Sequence, residues 1–269
     1  MAQHDRVAVV TGAARGIGAA TVLALAGAGW SVLAVDSAAD DPALAYPMAT
    51  QADLAGVVSR AAESAGQPGR VRPFVADVRD CEAVTAAVAE AEQRWGGLDA
   101  AIAAAGVIAG GVPLWEVPLA QQQAVLDVNL GGVLSLARAA VPALLRRPAP
   151  RSGRFLAVAS AAATRGLPML AAYCAAKAGV AGLVRALAAE LGDSGVTANA
   201  VSPGSTATPI LEESARLYEL PGTQAFASQQ PMRRLLGPAE VAAVLAFLAS
   251  PASSGMTGAV VPVDGGLAL

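Results

Sequence analysis

The chain has few of the side chains from which most nucleophilic and metal sites are built. Among its 269 residues there are one histidine, His4, and two cysteines, Cys81 and Cys174, which lie far apart in the sequence. These counts argue against a Ser-His-Asp hydrolase, a zinc site made of His and Cys, and a disulfide scaffold. No metal site is expected, and any chemistry must use other groups.

Charge is also scarce. Only 14% of the residues are charged, the formal net charge is −3 and the isoelectric point is near 5.2, so no basic surface for nucleic acid is expected. Lys177 is the only lysine among 18 basic residues. Because it lies in an apolar stretch, it is a candidate for a specific role.

The hydrophobic content is 55% and the mean hydropathy is +0.51, largely because of alanine. One uncharged run, Gly16–Val35, is long enough to span a bilayer, but Gly27-Ala28-Gly29 interrupts it. The first residues do not form a signal-peptide pattern. We therefore expect a cytoplasmic protein of a reducing compartment, with no membrane span.

Short apolar runs alternate with longer Ala- and Leu-rich stretches along the whole chain. The runs that predict β-strands are Val7–Val10, Val32–Val35, Val71–Val75, Ala100–Ala103, Phe155–Ala159, Val196–Val201 and Ala259–Val263. The stretches that predict helices are Ile17–Ala28, Leu54–Ala65, Cys81–Trp95, Ala120–Leu145, Leu170–Leu191 and Ala239–Leu248. This pattern predicts an α/β fold: one Rossmann-type domain over residues 1–269, with a doubly wound parallel sheet of about seven strands and helices on both faces.

The first strand runs into Thr11-Gly12-Ala13-Ala14-Arg15-Gly16-Ile17-Gly18 and then into the first helix. Glycines at these positions allow a sharp turn and a close approach of the backbone to a pyrophosphate, and the helix N-terminus supplies free N–H groups. Asp36 ends the second strand, about 20 residues further on, where an acid binds the adenosine ribose. A carboxylate there repels a 2′-phosphate, so NAD is favoured over NADP, although Arg15 is a competing candidate for that phosphate.

Tyr173 and Lys177 are four residues apart on a predicted helix and therefore share one face. Ser160 follows the preceding strand, and Asn129 lies within a predicted helix at a polar break or kink. At about 4 Å and an effective dielectric near 20, an ammonium favours a phenolate by roughly 4 kcal/mol. We therefore expect Lys177 to lower the pKa of Tyr173, by up to roughly 3 units before desolvation opposes it. Tyr173 is then a candidate general acid and base.

Together these motifs resemble those of the short-chain dehydrogenase/reductase family, and the resemblance covers essentially the whole chain. The matching residues are Thr11-Gly12 through Gly18, Asp77-Val78, Asn129, Ser160, Tyr173-Cys174-Ala175-Ala176-Lys177, Pro203-Gly204 with Thr208, and Asp264-Gly265-Gly266. The resemblance implies an alcohol dehydrogenase or ketone reductase whose catalytic residues are Asn129, Ser160, Tyr173 and Lys177.

We expect Ser160 to hold the substrate oxygen and Asn129 to position a water that connects Lys177 to solvent. The resemblance further implies that Asp77 and Val78 meet the adenine of NAD, whereas Pro203, Thr206 and Thr208 meet the nicotinamide. With these, the expected cofactor contacts are Gly12, Arg15, Gly16, Ile17, Gly18, Asp36, Gly106, Tyr173 and Lys177. One departure is clear: Ala103-Ala104-Ala105-Gly106 stands where the family usually has Asn-Asn-Ala-Gly, which puts the local cofactor contacts in doubt.

Two long irregular stretches, 37–56 and 203–237, are expected to be functional. Residues 37–56, together with 106–111 and 200–206, are similar to the mycofactocin-dependent subfamily, in which NAD stays bound and a peptide-derived carrier reoxidises it. We expect residues 37–56 to fold over the adenosine; the alternative is an ordinary surface excursion. Residues 203–237 are expected to cover an apolar alcohol or ketone, with Leu211, Leu217, Tyr218, Leu220, Phe226 and Met232 as candidates.

The apolar faces of the two longest predicted helices favour oligomerisation, and the resemblance implies a homotetramer. Three other functions stay open at this point. They are a freely exchanging NAD(P)H-dependent ketoreductase, a nucleotide-sugar epimerase or dehydratase, and a non-catalytic nucleotide-sensing protein.

Overall fold

The computed structural model describes residues 6–65 and 69–269, and His4 lies outside them. Seven strands form one sheet in the order β3-β2-β1-β4-β5-β6-β7, and every neighbouring pair is parallel. The strands are β1 (Val7–Thr11), β2 (Ser31–Asp36), β3 (Val71–Val75), β4 (Ala100–Ala103), β5 (Gly153–Val158), β6 (Val196–Pro203) and β7 (Val260–Val263). The predicted doubly wound parallel sheet is confirmed.

Within the described residues, eight α-helices connect the strands or follow them. They are α1 (Gly16–Gly27), α2 (Gln51–Ala65), α3 (Cys81–Trp95), α4 (Leu119–Leu126), α5 (Gly132–Arg146), α6 (Ala171–Glu190), α7 (Pro209–Leu217) and α8 (Pro238–Ala249). One buried cluster lies between the sheet and α3, α5 and α6, and a second lies between the sheet and α1, α2 and α8. Both faces of the sheet are therefore covered, which explains why the strands are apolar throughout.

The helix predicted over Ala120–Leu145 is interrupted. Between α4 and α5 the five residues Asp127–Gly131 form a π-helical turn. The side-chain amide of Asn129 donates to the Val125 carbonyl at 2.8 Å, the group that an α-helix pairs with the Asn129 backbone N–H. The side chain thus competes with the backbone and holds the wider turn.

Two predicted irregular stretches contain helix. The final six residues of the stretch 37–56 belong to α2, so the insertion is irregular only over residues 37–50. Helix α7 lies within residues 203–237 and begins at Pro209. Its N-cap is Thr208, whose hydroxyl accepts from the Leu211 backbone N–H. Such a cap and proline are local signals for a helix start.

By length and composition, Leu119–Arg146 and Ala171–Glu190 are long and apolar enough to cross a membrane. Both stretches contribute buried residues to the cluster on the sheet, such as Leu136 and Val180, so core packing accounts for much of their hydrophobicity. The run Gly16–Val35 divides into α1 and β2, as the interrupting glycines predict.

The strand order reverses direction between β1 and β4. In a doubly wound sheet the loops that leave such a neighbouring pair diverge, and the crevice between them is where ligands bind. The residues after β1 and β4 are those that carry the predicted phosphate loop and the Ala103–Gly106 departure.

Candidate active site

A cavity of about 590 Å³ opens at the carboxyl ends of the strands, at this point of reversal. All of the predicted site residues except Asn129 line it: Gly12, Arg15, Gly16, Ile17, Gly18, Asp36, Asp77, Val78, Gly106, Ser160, Tyr173, Lys177, Pro203, Thr206 and Thr208. The fold therefore brings residues from six different strand ends into one cleft.

The turn between β1 and α1 needs its glycines. Gly12 has φ 66°, and a Cβ on it would lie 2.6 Å from the backbone of Ala105. A Cβ on Gly18 would lie 2.0 Å from the Gly12 carbonyl oxygen. No side chain caps α1 and its first turn has no acidic residue, so the helix N-terminus faces the cavity without an anion of its own. This cradle fits a pyrophosphate.

Asp36 is held in position at the end of β2. One carboxylate oxygen accepts from the Ala14 N–H at 3.0 Å and the other accepts from the Ala38 N–H at 3.1 Å. Each oxygen keeps capacity for a second hydrogen bond, so the carboxylate can accept from two ribose hydroxyls. With the glycine cradle, this donor and acceptor set fits an adenine dinucleotide without a 2′-phosphate.

Residues 37–50, hereafter the strap, are tied to the cavity at three points. Arg79 binds Asp41 of the strap at 2.7 Å and also binds Asp77 through two nitrogens. Burial alone would raise the pKa of Asp77, but the hydrogen bonds from Arg79 hold it below its usual value. The second and third ties come from Arg15 and Tyr46.

Arg15 donates to the Pro47 carbonyl at 2.8 Å, and its guanidinium lies 5.9 Å from the centre of the Tyr46 ring. The Tyr46 hydroxyl accepts from the Ile108 N–H at 3.0 Å, across the cavity rim. Arg15 therefore lines the cavity as predicted, but its charge is used to hold the strap. It is poorly placed to serve as the ligand of a 2′-phosphate.

Tyr173 and Lys177 lie one turn apart on α6 and are 9% and 4% exposed. The Lys177 Nζ donates to the Val158 carbonyl at 2.8 Å and lies 5.7 Å from the centre of the Tyr173 ring. Ser160 follows β5 and begins a short 3-10 turn, with its hydroxyl accepting from the Ala162 N–H at 3.1 Å. The three side chains thus converge on one wall of the cavity.

The protein groups alone do not lower the pKa of Tyr173, contrary to the prediction. Burial raises the pKa of Tyr173 to about 12, an effect that the neighbouring Ser160 hydroxyl opposes only in part. Burial also lowers the pKa of Lys177 to about 8. Desolvation dominates both pKa shifts, because both side chains are enclosed.

Asn129 is fully buried behind the cavity wall, and its side chain holds backbone. It donates to the carbonyls of Val107 and Val125 at 2.8 Å each and accepts from the Val107 N–H at 3.3 Å. These bonds fix the loop after β4, where Gly106 lines the cavity. The predicted role of Asn129 on a water stays a prediction.

The departure Ala103-Ala104-Ala105-Gly106 leaves the loop after β4 anchored. The hydroxyl of Thr11 accepts from the N–H groups of Ala104 and Ala105 at 3.2 and 3.4 Å. The β1 turn and the β4 loop are therefore fixed to each other without the missing asparagine amides.

The other end of the cavity is largely apolar. Of the predicted substrate-covering residues, Leu211, Tyr218, Leu220 and Phe226 line it. Leu217 packs beside them in an apolar cluster, whereas Met232 is 54% exposed and lies outside the lining, contrary to expectation. Sequence reasoning missed many other lining residues, and these come from separate segments; Met48, Arg79, Arg165, Gln229 and Leu267 are among them.

The chain was compared with known proteins. A family model described as enoyl-(acyl carrier protein) reductase matches residues 12–268. The chain is 39% identical to the short-chain reductase protein NovJ of Streptomyces niveus, over 98% of this chain and 94% of the relative. It is also 39% identical to cis-4-hydroxycyclohexanecarboxylate dehydrogenase of Sinomonas cyclohexanicum, over 97% and 96%. The crystal structure of carveol dehydrogenase from Mycobacterium avium in complex with NAD superposes with a TM-score of 0.91, at 33% identity over 97% of each chain.

Proposed function

Because the chain belongs to the short-chain dehydrogenase/reductase family, we propose that it transfers a hydride between NAD and a small secondary alcohol or ketone. The observation that carries this function is the convergence of Ser160, Tyr173 and Lys177 on a cavity that begins at the glycine cradle. Residues 1–269 act as one catalytic domain in this proposal. The relatives named as dehydrogenases of cyclohexane and terpene alcohols support the reaction class.

The chain's own residues bind the substrate and transfer the proton. Ser160 holds the substrate oxygen, and Tyr173 takes the hydroxyl proton in oxidation and returns it in reduction. NAD, when bound by the residues of this cleft, would supply the hydride acceptor and a positive charge. Lys177 adds the second positive charge that favours the phenolate, which the protein groups alone disfavour.

The cofactor contacts divide between the two ends of the cavity. Gly12, Gly16, Ile17 and Gly18 hold the pyrophosphate and Asp36 holds the ribose. The remaining proposed contacts are Asp77 and Val78 at the adenine, and Gly106, Pro203, Thr206 and Thr208 near the nicotinamide.

Oxidation of alcohols by the purified protein tests this function. With a panel of cyclic and aromatic secondary alcohols, we expect NAD-dependent formation of ketone, followed by the absorbance of reduced nicotinamide and by chromatography of the product. Because Asp36 repels a 2′-phosphate, NADP should support at least about tenfold less activity. Activity with NADP equal to that with NAD would contradict the assignment of Asp36.

The strap supports a finer proposal, that NAD is held between turnovers and is reoxidised by mycofactocin. Five of the strap residues line the cavity beside Asp77 and Val78: Ser37, Ala39, Asp41, Met48 and Ala49. The contacts of the strap with Arg79, Arg15 and Ile108 must break before the adenosine of NAD can leave the cavity. If NADH is released slowly, the electron acceptor has to oxidise it while it is bound to the protein. A freely exchanging NAD(P)H ketoreductase is the alternative outcome of the next experiment.

Replacing Arg79 by Met should accelerate the exchange of bound NAD. The substitution removes the ion pair to Asp41 and the two-nitrogen contact with Asp77, so we expect exchange about ten- to a hundredfold faster. The measurement is the loss of isotope-labelled NAD from the protein into excess unlabelled NAD. Arg94→Met, which removes only an exposed i,i+4 pair with Glu90, is the control and should exchange like the wild type. Wild-type exchange as fast as turnover would sink the retention proposal.

We propose a homotetramer in the cytoplasm as the working assembly. Helices α5 and α6 form a surface groove with Val141, Leu183 and Leu187 on its lining, and Leu134 beside them is 48% exposed. Burial of this apolar surface against a second copy would stabilise the assembly. A monomer by light scattering at micromolar concentration would rule it out.

A further inference from the structure

One cationic side chain at the substrate end of the cavity has no acidic partner. Arg165 lines the same cavity as Ser160 and Tyr173 and is exposed. It follows the 3-10 turn Ala161–Ala163 that Ser160 begins. In the part of the chain that the structure describes, no carboxylate lies within ion-pair distance of it, and the carbonyl of Leu267 is its one hydrogen-bond acceptor.

The backbone of Arg165 is fixed to both elements that carry the reacting groups. Its N–H donates to the Ala161 carbonyl at 2.9 Å. Its own carbonyl lies 3.8 Å from the Sγ of Cys174, the residue that follows Tyr173 on α6. The base of the side chain is thus held relative to Ser160 and Tyr173, while the guanidinium, bound to the Leu267 carbonyl, keeps other N–H donors for a ligand.

Each of the other cationic groups on the cavity wall holds a part of the site in place, whereas the guanidinium of Arg165 contacts one backbone carbonyl in the described residues, that of Leu267. Arg79 is bound to two carboxylates, Arg15 is bound to the strap and Lys177 is bound to the Val158 carbonyl. The guanidinium of Arg165 has five N–H donors, most of which are left for water or a ligand. It is therefore the cation of this cavity that can best neutralise an incoming anion.

The surroundings of Arg165 favour an organic anion. The acidic residues of the cavity lining, Asp36, Asp41 and Asp77, all belong to the adenosine end with the strap. The substrate end is lined by apolar side chains: Leu167, Leu170, Leu211, Leu220 and Phe226. An anion with an apolar skeleton therefore meets attraction at Arg165 and no carboxylate that repels it.

We propose that Arg165 binds a carboxylate group of the substrate, so that the substrate class is a secondary alcohol, or its ketone, whose apolar skeleton carries a carboxylate. The planar fork of a guanidinium matches the two oxygens of a carboxylate. Ser160 and Tyr173 hold the reacting oxygen at one end of the molecule and Arg165 holds the charge at the other. This inference rests on the proposed function for the identity of the reacting end.

Calorimetric binding of matched ketone pairs to the NAD-loaded protein, which has no hydride to transfer to a ketone, tests the carboxylate site. The acids are 4-acetylbenzoate, 3-acetylbenzoate and 4-oxopentanoate, and each is compared with its neutral amide. The three acids differ in the distance between the ketone oxygen and the carboxylate. For at least one pair, the wild type should bind the acid about ten- to a hundredfold more tightly. Arg165→Met should remove this preference and Arg165→Lys should keep part of it. Arg60→Met, at an exposed position on α2, should keep all of it.

Two outcomes overturn the carboxylate site: equal affinity of acid and amide in every pair, and a preference that survives in Arg165→Met. The proposed function has a separate readout, the oxidation of the neutral alcohol 1-phenylethanol and the alcohol panel by the wild type. Acid preference without oxidation of any alcohol contradicts the proposed function and leaves the carboxylate site standing. Oxidation of alcohols with equal affinity for acid and amide contradicts only the role of Arg165.

Discussion

Replacing Tyr173 by Phe should lower kcat by about a hundred- to ten-thousandfold, which is the usual contribution of a positioned general acid or base. The substitution removes one hydroxyl from a fully buried ring and leaves the ring's packing in place. Steady-state oxidation of a secondary alcohol measures the fall. The melting temperature and the affinity for NAD should stay close to those of the wild type, because the phosphate cradle is untouched.

A second tyrosine on the cavity wall provides the control. Tyr218 donates from its hydroxyl to the Pro168 carbonyl at 2.7 Å and thereby connects α7 to the loop after β5. Tyr218→Phe removes this hydrogen bond between α7 and the loop after β5. It should change KM more than kcat, and the change in each should be less than about tenfold. If Tyr173→Phe turned over alcohol within a few fold of the wild type, Tyr173 would not be the proton-transfer group.

Replacing Gly18 by Ala should weaken the binding of NAD. The new Cβ would lie 2.0 Å from the Gly12 carbonyl oxygen, a contact that can be relieved only by moving the turn between β1 and α1. Overpacking of this kind costs about 1–3 kcal/mol, and here the backbone that moves is the phosphate cradle itself. We expect the Kd for NAD to rise by about five- to a hundredfold, measured by calorimetric titration.

The same helix offers a glycine with open space as the control. Gly27 is the last residue of α1, and no atom lies within 4 Å of a Cβ built on it. Gly27→Ala should bind NAD like the wild type and should raise the free energy of unfolding by up to about 1 kcal/mol. Wild-type affinity in Gly18→Ala would remove the basis for placing the pyrophosphate at this turn.

Features encoded within a few residues could be predicted from the sequence. Helix α3 begins and ends at the predicted residues because Asp80 caps its first turn and Gly96 adopts the left-handed conformation after its last. The strands follow from apolar runs that are buried on both faces. The glycine turn and Asp36 carry their conformational and charge requirements locally, so their place at the cavity was predictable.

Features that depend on distant packing could not be predicted in the same way. The contact of Arg79 with Asp41 joins residues 38 apart in sequence, and the use of Arg15 to hold the strap depends on where Tyr46 and Pro47 fold. Proximity of Tyr173 and Lys177 was predictable from helical spacing, but the direction of their pKa shifts was not. That direction is set by burial, which spacing does not report.

The claim on which the rest depends is that the cleft holds NAD. The most direct measurement is to denature the purified protein, identify any nucleotide released by chromatography, and titrate NAD and NADP into native protein that has been stripped of nucleotide. The account predicts NAD or NADH from the denatured protein and saturable binding of NAD, in preference to NADP, by the stripped protein. A chain that releases no nucleotide and shows no binding of NAD on titration would contradict it.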